Sequence, residues 1–79
     1  MITHSITFTK VQEGVPHALA DGAVAEIVSL PAGCIFMASH DGAQTWEEVA
    51  SPHTAVADCH VRIDCDTYTA PVTAVLTID

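Results

Sequence analysis

Basic side chains are almost missing from this chain. Lys10 and Arg62 stand against ten carboxylates, giving a formal net charge of −8 over 79 residues. Two cations release too few counterions to hold a nucleic-acid backbone, so no nucleic-acid partner is expected. Long apolar runs are missing as well. No stretch reaches the ~18–20 residues of a membrane-spanning helix, and the first residues lack a basic-then-apolar leader pattern, so no membrane partner is expected. Aromatics make up only 5% and charged residues 15% of the chain. Helical periodicity is lacking throughout, which leaves little room for a helical fold.

What is present is an apolar, alternating sequence. Hydrophobic residues reach 49% with a mean hydropathy of +0.36, too high for a disordered acidic tail. Residues 1–79 read as one β domain. A chain this short buries only ~60% of the surface its unfolded form exposes, so its core is thin. The three cysteines, Cys34, Cys59 and Cys65, form an odd set. Free buried thiols are the simplest account, with one bridge plus a leftover thiol as the alternative. A straight strand would hold Cys59 and Cys65 ~20 Å apart, which argues against joining those two.

Alternation predicts strands over 2–10, 23–30, 34–39, 45–50, 55–66 and 67–78. In the first, Ile2, Ile6 and Phe8 share one side, and Thr3, Ser5, Thr7 and Thr9 the other. Gly14–Gly22 breaks the pattern with turn residues. The Ala-rich stretch Ala18–Ala25 offers a short helix as an alternative, against which Gly22 argues. Pro31-Ala32-Gly33 predicts a turn. The clearest strand places Ala55, Ala57, Cys59, Val61, Ile63 and Cys65 on a core face. Asp58, His60, Arg62, Asp64 and Asp66 then meet water. Pro71 inside the last strand predicts an edge or bulge. The expected fold is a small antiparallel β-sandwich or barrel of five to six short strands.

Between the third and fourth strands, Ser39-His40-Asp41-Gly42-Ala43-Gln44-Thr45-Trp46 resembles an Asp-box, the S-x-D-x-G-x-T-W hairpin of sialidases and many other β-proteins. Ser39, Asp41, Thr45 and Trp46 stand at its spacing. Ala43 departs from it, occupying the glycine position beside Gly42. An aspartate heading such a turn accepts hydrogen bonds from backbone N–H groups further on and closes the loop. The resemblance implies a structural hairpin of Ser39, Asp41, Gly42, Thr45 and Trp46, and not an activity. Arg62 is the only arginine, so the arginine triad of a sialidase is excluded. If the motif demands positive φ at Ala43, the turn is strained by roughly 1 kcal/mol.

Chemistry-bearing residues are scattered. His40, His53, Cys59, His60 and Cys65 have ligand character, but no C-x2-C or H-x3-H spacing occurs, and Cys59 and His60 point to opposite faces of their strand. No metal site and no cofactor are therefore expected. Asp58, Asp64 and Asp66 read as a solvated strand face rather than a surface-ion site. Cys34 has no local catalytic partner, and Glu47 and Glu48 face opposite sides, so no enzyme is expected. The five histidines, His4, His17, His40, His53 and His60, suggest a pH-sensitive surface.

Thin core, several sheet edges and Thr-rich strands suit a domain that assembles. With the hairpin, they resemble the small β-domains of tailed-phage particles: capsid decoration or cement proteins, head-fibre bases and tail modules. That resemblance implies a structural virion component, made in the host cytoplasm. Its partners would be other protein subunits: a homo-oligomer such as a trimer, on a shell or tail protein. Trp46, Phe36 and the apolar face of Ala57–Cys65 are expected in the core. The face Asp58–Asp66 and the tip His40–Gln44 would point outward or toward a partner. The alternative is a carbohydrate- or protein-binding β-sandwich module, with Trp46 as a stacking platform and Asp41 or Glu47 as polar contact. A metal-binding cytosolic protein is the third reading.

Overall fold

The computed structural model describes residues 1–57 and 59–79; Asp58, expected on the acidic strand face, lies outside the described residues. The described residues form no helix, and the expectation of an all-β chain holds. The strands are β1 (Ile2–Phe8), β2 (His17–Leu19), β3 (Val24–Ser29), β4 (Cys34–Ser39), β5 (Glu47–Glu48), β6 (His53–Thr54), β7 (Cys59–Cys65) and β8 (Val72–Ile78). They build two four-stranded antiparallel sheets, ordered β1-β8-β3-β6 and β2-β7-β4-β5. Among the described residues no helix is long and apolar enough to cross a membrane.

Period-2 patterning explains the packing. Phe8, Ala25, Ala74 and Leu76 of the first sheet join Leu19, Phe36, Ala38, Cys59, Val61, Ile63 and Cys65 of the second in one buried cluster. Every second residue of β7 is buried, as alternation predicts. Small residues let the sheets approach. Ala25, Ala38 and Ala74 are fully buried, so the aromatic share of the core rests on Phe8 and Phe36.

Several expectations need correction. The described residues form eight strands, not five to six: pairing within each sheet adds β2 against β7 and β6 against β3, from residues outside the expected strands. Residues 18–25 form no helix; His17–Leu19 pairs with Val61, His60 and Cys59 of β7 instead. The strand expected over 45–50 shrinks to Glu47–Glu48, since the Asp-box turn occupies its first residues. The strand expected over 55–66 shortens to β7, Cys59–Cys65, and Ala57 lies exposed in the turn before it, outside the core. Pro71 precedes β8 rather than interrupting it; the irregularity of that sheet falls in β3, between Ile27 and Ser29. The Pro31–Gly33 turn forms, with Cys34 N–H donating to Pro31 O at 3.1 Å.

The outer side of β7 is not bare. The segment between β1 and β2 runs antiparallel along the edge of β7, held by the bridge between Gln12 and Cys65 and by Gly14 N–H donating to Asp64 Oδ1 at 2.9 Å. Gly14 is required there, because a Cβ would stand 1.9 Å from Ile63 O. Backbone lies on backbone at that point.

Candidate functional site

The Asp-box-like segment folds as its spacing demands. Asp41 Oδ1 accepts from Gln44 N–H at 3.2 Å and Thr45 N–H at 3.0 Å, and its Oδ2 accepts from the Thr45 hydroxyl. Ser39 is buried; its hydroxyl donates to Asp41 Oδ1 at 2.7 Å and accepts from Ala43 N–H at 3.0 Å. The Thr45 hydroxyl, then its N–H, Ser39 and Gln44, hold the Asp41 carboxyl well below the usual carboxylate range. Gly42 and Ala43 both adopt positive φ, 74° and 67°. The strain expected at Ala43 is therefore real, and Gly42 does not relieve it.

Trp46 departs from expectation. It is half-buried on the outer side of β7 rather than in the core, with the Arg62 guanidinium carbon 4.2 Å from its ring centroid. The same guanidinium reaches Glu13 Oε2 at 3.0 Å. Its Nε lies 2.9 Å from Asp64 Oδ1 as an ion-pair contact, without hydrogen-bond alignment. Side-chain exposures of 12% for Arg62 and 17% for Asp64 show that these two are covered, contrary to the solvated face expected, whereas Asp66 is exposed as expected. Alternation reports which residues point away from the core. It does not report what distant segments, here Glu13, Gly14 and Trp46, bring against them.

Beside Trp46 opens a cleft of about 340 Å³ lined by Ala38, His40, Asp41, Thr45, Trp46 and Glu47. All three residues expected for a binding module, Asp41, Trp46 and Glu47, thus share one cleft. His40 Nδ1 faces Glu47 Oε1 at 3.6 Å.

Histidines and cysteines gather in ways no local spacing reveals. His40, at the end of β4, places Nε2 3.3 Å from Nε2 of His53 on β6, and Cys59 at the start of β7 completes a group whose donor atoms lie within 4.8 Å of one another. Burial raises the Cys59 thiol above its usual value. At the opposite seam between the sheets, the rings of His4 on β1 and His17 on β2 are 4.1 Å apart. Burial first, then the His4 charge, lowers His17. His60 faces the other way and stays out of either group. All three cysteines are free, and Cys34 pairs in register with Cys65. Burial, then the neighbouring Cys65 charge and hydrogen bond, raises Cys34. The ligand trio was within reach of sequence reasoning only as a list of residue types, because its members come from both sheets.

Compared with protein-family models, curated proteins and solved structures, the chain matches none.

Proposed function

We propose that this protein is a non-catalytic structural subunit, a small β-sandwich that acts by assembling with further copies of itself on a larger shell. One observation carries this reading. Strand β1 stands at the end of its sheet, runs seven residues, and contains neither charge nor proline in a chain of net charge −8. Sheet edges of soluble monomers are blunted by lysine, proline or bulges, since a bare edge pairs with another chain. The side of β1 and β8 directed away from the core adds Thr3, Ser5, Thr7, Thr73, Val75 and Thr77, again uncharged. Exposed Met1 and Ile2 lie at the start of the same strand, 83% and 60% accessible.

Such a bare edge and hydroxyl-rich face suit a decoration or cement protein of a virus particle, whose work is to join neighbouring subunits. A closed ring, such as a trimer, would consume the β1 edge in each copy. Light scattering tests the proposal directly. An oligomer that Ser5→Lys converts to a folded monomer supports it, because lysine on the edge opposes pairing. A folded wild-type monomer at high concentration overturns it.

The cleft of Asp41, Trp46 and Glu47 favours a second reading, a carbohydrate- or peptide-binding module. Arg62 already covers one face of Trp46, leaving the other for a ligand. Saturable change of Trp46 fluorescence with a glycan panel would decide for it.

A further inference from the structure

We propose that His40, His53 and Cys59 form a zinc site that fastens the two sheets together at the β5–β6 seam. The assembly role does not require it, and the observations behind it are separate. The ligands come from three chain segments: His40 follows β4, His53 lies on β6, and Cys59 opens β7. β6 belongs to one sheet, β4 and β7 to the other, so an ion here bridges the sheets.

The geometry fits a tetrahedral ion. A zinc ion ~2.0–2.1 Å from each of two nitrogens holds them about 3.3–3.4 Å apart at the tetrahedral angle. The two Nε2 atoms are 3.3 Å apart. The three donor atoms lie within 4.8 Å of one another, whereas a zinc–thiolate bond of ~2.3 Å sets N···S at ~3.6 Å, so Cys59 Sγ closes by at most about 1.2 Å. Nitrogen and sulfur together select a borderline or soft ion over magnesium or calcium.

The surroundings support the same assignment. Glu47 Oε1 faces His40 Nδ1, the nitrogen that a metal at Nε2 leaves free, at 3.6 Å. A carboxylate behind a ligating imidazole fixes its tautomer and orientation, a recurrent feature of zinc sites. Three protein ligands leave the fourth position to water, on the side where His40 is exposed rather than where Cys59 is buried. On binding, the Cys59 thiol loses its proton to solvent and the thiolate takes the ion. No electron changes hands.

The test is titration of the purified, metal-free full chain with zinc chloride by calorimetry, and with cobalt(II) chloride by absorption. The expected result is one ion per chain, a tetrahedral cobalt spectrum with a thiolate charge-transfer band, and a melting temperature that rises with zinc concentration. Cys59→Ser removes the band, whereas Cys34→Ser leaves it. Cys59 is buried in the core, so His53→Gln provides a variant at a less buried position and must weaken binding more than Glu47→Gln, whose loss is about 10- to 100-fold. Absence of binding overturns the proposal. So does an octahedral cobalt spectrum, or affinity unchanged in His53→Gln.

Discussion

Replacing Ala43 probes the hairpin at its one strained residue. Ala43 holds φ at 67°, where a Cβ costs about 1–2 kcal/mol. Ala43→Gly removes that cost and keeps the N–H that donates to the Ser39 hydroxyl at 3.0 Å. Against the gain stand about 0.4–1 kcal/mol of extra unfolded-state entropy and about 0.4 kcal/mol for a half-buried methyl. The net expectation is a stabilisation of about 0.5 kcal/mol, or roughly 2–4 °C in Tm for a domain of this size. Ala43→Val turns the sign. A β-branched residue at positive φ is a genuine outlier, and about 1–2 kcal/mol should be lost. Urea unfolding followed by circular dichroism reads both variants, with the slope unchanged. An order of Val above Ala above Gly, as in ordinary extended backbone, would refute the reasoning.

Three further outcomes follow from the same structure. Arg62→Met keeps the stem but strips Asp64 and Trp46 of their cation; about 1–2 kcal/mol of stability should be lost, with a shifted Trp46 emission spectrum. Acid should act in two stages. His17 has a lowered folded value, so the unfolded chain takes up its proton first and stability falls as pH drops below the ordinary imidazole value, levelling below the folded one; His17→Gln should abolish this stage in pH-dependent melts. Asp41 is also depressed, so its contribution is present above the ordinary carboxylate value and is lost as pH falls below it; Asp41→Asn should flatten that second stage. Mild oxidation should join Cys34 to Cys65, the pair in register, and leave Cys59 reduced, as peptide mass mapping would show.

The sequence by itself determined the class of the fold and its most local device. Alternation from Cys59 to Cys65 assigned the buried side of β7 correctly, because a strand's side-chain period is set by backbone geometry alone. The Asp-box spacing determined the turn at Asp41 for a similar reason: donor and acceptor lie within six residues, and no other part of the chain is needed. Tertiary structure alone decided what became of the surfaces so defined. Trp46 reads as a core residue from size and apolarity, yet it lies half-buried on the outer side of β7 with the Arg62 guanidinium over its ring. Arg62 and Asp64 read as solvated until the loop at Gly14 covered them. His40, His53 and Cys59 carry no joint signal along the chain, since their proximity depends on how one sheet meets the other. Short-range hydrogen bonds and side-chain period are written into neighbouring residues. Contacts between sheets depend on register and order, which the spacing of residues does not encode.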